Sequence, residues 1–369
     1  MDTSVPLVDL APLLPLLALA AVIALLPLSW WWLRQRRADP RTRLAALTAL
    51  TLFLTFDLIV FGAFTRLSDS GLGCPDWPGC YGAATPLGAR EEIHAAQTAM
   101  PSGPVTWSKA WIEMVHRYLA MTVGVLILVG AVFSWVERRR LPHPPGLALA
   151  ILAWVLVQGA FGKYTVTLKL YPAIVTLHLL GGLVLLALLA VQHQRLAGRH
   201  LPLAPGLRRW AGLGLAVLTL QIAFGGWVST NYAVLACSGF PACNGQWWPD
   251  MALSQGFTLL RTLGHAGDGS LLPFQALVGI HYVHRAFAVV AVAVLGVLAW
   301  RLWRQAPSSR FGVGLALLLL AQLASGLSNV VLGWPLAAAL AHTAGAAALV
   351  WLLTLLIARS APGLRRDGP

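Results

Sequence analysis

Residues 114–136 read Met114-Val-His-Arg-Tyr-Leu-Ala-Met-Thr-Val-Gly-Val-Leu-Ile-Leu-Val-Gly-Ala-Val-Phe-Ser-Trp-Val136, and Glu137-Arg138-Arg139-Arg140 follow. A helix needs about 20 mostly apolar residues to cross a bilayer. This run is long enough, opens on a histidine and an arginine, and stops at three arginines. Eight more runs of the same kind flank it, at 10–33, 44–66, 147–168, 172–193, 210–230, 280–303, 312–333 and 336–358. The composition agrees: of 369 residues, 58% are hydrophobic and 11% charged, with a mean hydropathy of +0.72. A soluble domain carries about 25% charged residues. An ordinary soluble globule, a disordered chain and a collagen-like fibre are excluded, and an all-α integral membrane protein is expected.

The net charge of +13 is explained by position. Basic clusters fall in alternate connections: Arg34, Arg36, Arg37, Arg41 and Arg43; Arg138 to Arg140; Arg195, Arg199, Arg208 and Arg209; Arg301, Arg304 and Arg310; Arg359, Arg365 and Arg366. They hold 18 of the 26 Lys and Arg. The positive-inside rule makes this the cytoplasmic side. Nine spans then put the N-terminus outside and the C-terminus inside. A nucleic-acid binder gathers its base on one polar face, so no nucleic-acid partner is expected; the bilayer is. The first run has Asp2 and Asp9 before it and Arg34-Gln-Arg-Arg37 after it, the reverse of a cleaved signal peptide. It reads as a retained anchor, with a bacterial plasma membrane as the expected setting.

The segments 44–193 and 210–358 resemble each other. Phe61-Gly-Ala-Phe64 matches Phe224-Gly-Gly-Trp227, and Cys74 and Cys80 match Cys237 and Cys243, all at an offset of 163. Val115-His-Arg117 matches Val283-His-Arg285 at 168; Gln158, Gly162 and His178 match Gln322, Gly326 and His342 at 164. Four helices per half make the repeat parallel, about an axis along the membrane normal. The expected architecture is two tandem pseudo-symmetric four-helix bundles: residues 1–43 form the extra helix and basic loop, 44–196 the first bundle, and 197–369 the second.

Of the ten histidines, His143, His193 and His200 fall in cytoplasmic connections, and His94 and His265 in the two long outer segments; these read as surface residues. His116, His178, His284 and His342 stand near the outer ends of the second and fourth helices of each bundle. A polar side chain inside a membrane is costly and marks function. Either each donates to a neighbouring helix, or each pair grips one metal. Duplication at similar depth favours the pairs, and two imidazoles across a bundle make a bis-axial haem site. Zinc wants a third or fourth ligand and fits less well. Arg117 and Arg285 follow two of the histidines; a haem propionate or the membrane interface would suit them. Glu113 lies three residues before His116, so it shares its face; proton chemistry or pairing with a cation at the membrane edge would account for it. Its counterpart is His281. Asp57, mid-span, would serve a proton path or a structural hydrogen bond.

Cys74-Pro-Asp-Trp-Pro-Gly-Cys80 and Cys237-Ser-Gly-Phe-Pro-Ala-Cys243 face the oxidising side, where disulfides persist. Two intra-loop disulfides are the simplest reading; a shared zinc site or a redox role for Cys74 and Cys80 are the alternatives. No CxxCH is present, so any haem is non-covalent.

Phe61-Gly-Ala-Phe-Thr-Arg-Leu-Ser-Asp-Ser-Gly-Leu-Gly-Cys-Pro-Asp-Trp-Pro-Gly-Cys-Tyr-Gly82 and Glu113-x-x-His116-Arg117 resemble the motifs of the haem A synthases, in particular the cysteine-bearing bacterial type related to the mitochondrial enzyme. The resemblance covers 44–358 and leaves the first helix unexplained. It implies an oxidoreductase that converts the C8 methyl of haem O to a formyl group, by way of an alcohol and a gem-diol, giving haem A for terminal cytochrome oxidase. It implies haem b as prosthetic group on His284 and His342, haem O as substrate on His116 and His178, and Glu113 at the reacting methyl. It implies delivery of haem O by haem O synthase, an electron donor outside this sequence, and a homo-oligomer as a further expectation. A di-haem cytochrome b linked to quinol would explain the histidines but neither Glu113 nor the loop motif. A transporter of parallel repeats would hold no haem.

Overall fold

The computed structural model describes residues 6–360; Asp2, Arg365 and Arg366 of the charge pattern lie outside them. Among the described residues, nine helices are long and apolar enough to cross a membrane. The protein is an all-α membrane protein. The chain divides into two compact units, one ending at Leu170 and one beginning at Tyr171.

The first unit contains α1 (Leu13–Gln35), α2 (Pro40–Leu67), α3 (Arg90–Ala99), α4 (Trp107–Val136) and α5 (Gly146–Thr167), with two-residue strands β1 (Val8–Asp9) and β2 (Trp77–Pro78). In lipid every backbone group must be satisfied within its own helix, and apolar Leu, Ala and Val runs permit this. The helix starts carry local signals. Asp39 caps α2 by accepting from Thr42 N at 3.1 Å, with Pro40 just inside, where its missing N–H costs nothing. The Thr42 hydroxyl also bonds this carboxylate at 2.5 Å and holds it below the usual carboxylate range. α4 packs on α1, α2 and α5, and α1 buries Leu16, Ala20 and Ala24. β1 lies parallel to β2, with Trp77 N donating to Leu7 O at 3.1 Å. The segment before α1 is thereby tied to the loop that follows α2.

The second unit contains α6 (Pro172–Ala197), α7 (Pro205–Thr230), α8 (Leu253–Gly256), α9 (Phe274–Trp303), α10 (Ser309–Val331) and α11 (Leu336–Arg359). α7 packs on α9, α9 on α10, α10 on α11, and α11 back on α7, a closed circuit of four. α6 packs on α7 and α11, through Thr176 against Thr230 at 3.2 Å and through Arg359 donating to Gln194 at 3.0 Å. The sequence repeat counts α6 with the first half, whereas its packing groups it with the second.

The segment between α7 and α9 is organised by Arg261, which is 3% exposed. Its guanidinium donates to Asn231 Oδ1 at 2.5 Å, His265 O at 3.2 Å and Gly256 O at 3.4 Å, and lies 5.6 Å from the Trp227 ring centroid. Replacing it with methionine strands two acceptors, Asn231 Oδ1 and His265 O, while Gly256 O keeps the Trp227 indole N–H at 2.9 Å. Arg261→Met is expected to lower stability by about 2–3 kcal/mol and to speed protease cleavage between 231 and 273. Cleavage at the wild-type rate would remove Arg261 from this role.

Candidate functional site

Three of the four core histidines share one arrangement: the imidazole lies against a glycine of the helix packed beside it. A Cβ added to Gly62 on α2 would stand 3.0 Å from His116 Cε1; on Gly225 of α7 it would stand 2.9 Å from His284 Cε1; on Gly326 of α10, 3.2 Å from His342 Cε1. Glycine is used for close approach, and only its bare backbone lets the Cε1 edge of each ring come this near the neighbouring helix. Phe61 stacks on His116, centroids 6.3 Å apart and planes 13° apart. In the second unit His284 and His342 are near enough to interact electrostatically. The fourth histidine, His178 on α6, has a buried Nδ1 with no hydrogen-bond partner. Among the described residues no three His, Cys, Asp or Glu converge on one point.

The second unit adds polar partners. The Gln221 amide nitrogen lies 3.1 Å from His284 Nδ1 and 3.2 Å from the His284 carbonyl. Gln322 donates to the His342 carbonyl at 2.8 Å, and Ser325 Oγ lies 3.0 Å from His342 Nδ1. Gln221 and Gln322 each stand four residues before the cradle glycine, so one helical turn carries both the space and the polar contact.

In the first unit the same helix face carries Glu113, 3% exposed. Its Oε1 pairs with Arg117 at 2.5 Å, and its Oε2 accepts the Cys74 backbone N–H at 2.8 Å. Gly73 makes this reach feasible, because a Cβ there would lie 2.4 Å from the Lys109 backbone. Arg117 also donates to the carbonyls of Asp76, Pro78 and Gly79 at 3.0, 3.0 and 2.5 Å. Arg285 does the same in the second unit, reaching Gly239 O at 2.9 Å, Pro241 O at 3.2 Å and Cys237 Sγ at 3.0 Å. Both arginines therefore clasp the loop of their own half, a use that neither the propionate nor the interface reading foresaw. Those loops are closed by disulfides, Cys74–Cys80 and Cys237–Cys243, each with a Cα–Cα distance of 4.9 Å. Asp76, fully buried, braces the first loop by accepting from Tyr81 N and Gly82 N at 2.6 and 2.8 Å.

His281, the counterpart of Glu113, is buried with Nδ1 3.0 Å from the Ala233 carbonyl. A carbonyl only accepts, so the ring donates and anchors the turn Ala233–Leu235. Asp57 is exposed midway along α2, and His94 is exposed on α3. The sequence reading missed Gln221, Ser325, Asp76 and Arg261. Only Gln221 left a signal, the Gln-x-x-x-Gly spacing it shares with Gln158 and Gln322.

The family model described as COX15-CtaA, cytochrome oxidase assembly protein, matches residues 45–354. The chain is 39% identical over 319 residues to a protein of Shewanella oneidensis named heme A synthase, across 85% of this chain and 95% of that one. Proteins of the same name from Shouchella clausii and Rhodospirillum centenum are each 28% identical, over 301 and 356 residues, covering 78% and 86% of this chain and 86% and 91% of theirs. The family match begins after α1, so the extra helix lies outside it. From the paired cysteine loops to the last core histidine, the chain belongs to the COX15-CtaA family of cytochrome oxidase assembly proteins.

Proposed function

We propose that the chain acts as its relatives are named, as a haem A synthase, an oxidase that turns the C8 methyl of haem O into a formyl group in two successive oxidations. The carrying observation is the repeated imidazole-on-glycine cradle combined with a carboxylate, Glu113, in one half only. The residues present fit haem. Each of the three cradles sets an imidazole edge against a bare glycine of the neighbouring helix. The His178 Nδ1 lies buried without a partner, and paired nitrogen donors without a third ligand suit an iron porphyrin better than a tetrahedral ion.

In this reading His284 and His342 hold a resident haem b, and His116 and His178 receive haem O. When bound, the resident haem supplies electron transfer to the substrate half. The chain's own residues do the rest. The glycine cradles fix ring orientation. Glu113 holds a negative charge at the loop end of the site and exchanges a proton there. Arg117, by pairing with Glu113 and three loop carbonyls, holds that carboxylate still. The two disulfide loops cover the sites. The sequence halves 44–196 and 197–369 are the substrate half and the prosthetic-haem half, in a bacterial plasma membrane with the N-terminus outside. Haem O synthase supplies the substrate, and a separate donor supplies electrons.

The test is pigment analysis after co-expression with a haem O supply. Haem O consumed and haem A formed is the expected result. Unaltered haem b as the sole pigment would point instead to a di-haem electron carrier, and a folded, colourless protein to a transporter.

A further inference from the structure

The two halves hold their disulfide loops in the same grip but cover them differently. Arg117 donates to the carbonyls of Asp76, Pro78 and Gly79; Arg285 donates to those of Gly239, Pro241 and Ala242, the same three positions at the offset of 163. Each loop also closes on an inner bridge, Cys80 with Ala83 and Cys243 with Gln246. In the first loop Asp76, Pro78 and Gly79 are buried. In the second, Gly239 and Pro241 are exposed, and Phe240 is 63% exposed where its counterpart Trp77 is half-buried.

What covers the first loop is the segment ahead of the family match. Trp77 N donates to Leu7 O at 3.1 Å, and β1 runs beside Trp77-Pro78. Asp9 Oδ1 accepts from Ala11 N at 2.9 Å where the chain leaves β1 for α1. Pro12 then sits on Gly79, where a Cβ would stand 2.7 Å from the proline Cγ. Along α1, Leu16, Leu19 and Ile23 recur at the spacing of one helix face and pack in the core that holds Cys74, Cys80 and Met114. Residues 76–79 therefore have two supports: three of their carbonyls accept from Arg117, and one N–H donates to Leu7. Among the described residues the one sheet is β1 with β2, so no strand joins the second loop. The covered loop is also the one that meets a carboxylate. Cys74 N–H, at its start, donates to Glu113 Oε2 at 2.8 Å, whereas His281 bonds the Ala233 carbonyl.

We infer that the segment Leu7–Ile23 is a strap that positions Glu113, with Asp9 and Leu16 as its positioning residues, by holding the Cys74–Cys80 loop down on Arg117 and on the carboxylate. A segment with little buried contact opens locally at small cost; apolar cover on one side and an arginine on the other remove that freedom. Glu113 depends on it, because both groups that aim its carboxylate, Cys74 N–H and Arg117, are themselves fixed by this loop. Displacing a reacting group by about 1 Å costs about 100-fold in rate. The bearing on catalysis rests on the reading that Glu113 serves haem O oxidation; the hold on the loop does not.

The experiment uses the full chain, and reads amide hydrogen exchange over 73–83 and 236–246 together with haem A formed per haem b. Leu16 is fully buried, so Leu16→Ala opens a cavity beside Cys74 and Cys80. Exchange over 73–83 is expected to quicken about tenfold or more, with 236–246 unchanged, and haem A per haem b to fall about tenfold. Asp9→Ala is expected to act in the same direction more weakly. Leu16→Met, which conserves volume, is expected to restore both readings, and Leu14→Ala, at a position 78% exposed on the same helix, to change neither. Wild-type exchange over 73–83 in both Leu16→Ala and Asp9→Ala would overturn the inference. Equal quickening over 236–246 would mean a general loosening and overturn it too. Quickened exchange over 73–83 with wild-type haem A per haem b would show that the strap holds the loop without serving Glu113, and the positioning role would fall. No haem A from the wild-type chain would sink the functional reading instead, and exchange at Cys74 N–H, which reports its bond to Glu113, would still decide whether the strap holds that carboxylate. A variant of low yield is judged by the same two ratios.

Discussion

Glu113→Gln is expected to abolish haem A formation while leaving the haem b spectrum intact. Glutamine is nearly isosteric and keeps an oxygen for the Cys74 N–H, now 2.8 Å from Oε2. Arg117 keeps the carbonyls of Asp76, Pro78 and Gly79. The disulfide loop therefore stays clasped to α4, and what disappears is the negative charge and the transferable proton. Positioned proton transfer is worth about 10²–10⁴-fold in rate, so haem A yield should fall at least about 100-fold. The second unit contains none of the residues disturbed, so its pigment serves as an internal control. Haem A at the wild-type level would remove Glu113 from the mechanism and reduce it to a structural partner of Arg117. Aspartate is the informative companion. One methylene shorter, it keeps the charge but cannot span both Arg117 and Cys74 N, and an intermediate yield is expected.

The nine spans were legible because an uninterrupted apolar run of bilayer length suits little besides a membrane. Their ends were less so. α4 begins at Trp107, seven residues before the apolar run, because Thr106 caps it by accepting from Lys109 N at 3.3 Å, and a polar turn such as Trp107-Ser-Lys-Ala gives no hydropathy signal. α3, inside the first long outer segment, gives no periodic signal. It buries one side chain, Ile93, and a single apolar position has no period. The grouping of α6 was invisible for another reason: its ties are Thr176 with Thr230 and Gln194 with Arg359, pairs 54 and 165 residues apart. At the site, duplicated His-Arg and Cys spacings announced the ligand candidates and the disulfides. The partners of the arginines are loop carbonyls, which every residue possesses and no sequence distinguishes. Gln221 and Ser325 required knowledge of which helix lies beside which histidine.

Gly225→Val is expected to strip haem b from the protein as His284→Ala does, although Gly225 bears no ligand. A Cβ at 225 would lie 2.9, 3.5 and 3.6 Å from His284 Cε1, Nδ1 and Nε2, which is contact with one edge of the ring from end to end. Valine adds two methyl groups beyond that point. The ring has to swing off α7, which breaks the 3.1 Å approach of Gln221 and moves Nε2 from its present position. Separation of the helices offers little relief, because α7 and α9 also meet at Gly214, where a Cβ would already be 3.0 Å from Leu295 and 3.2 Å from Leu298. Overpacking of this kind costs about 1–3 kcal/mol, which is a roughly 5- to 150-fold loss of haem affinity. Gly212 on the same helix has nothing within 4 Å of its Cβ position, so Gly212→Val should retain its pigment. The comparison separates crowding of the imidazole from any general intolerance of α7 to a branched residue. Full haem b in purified Gly225→Val would mean that the ring lying on this glycine is not what holds the iron, and the three matched cradles would then need a purpose other than haem.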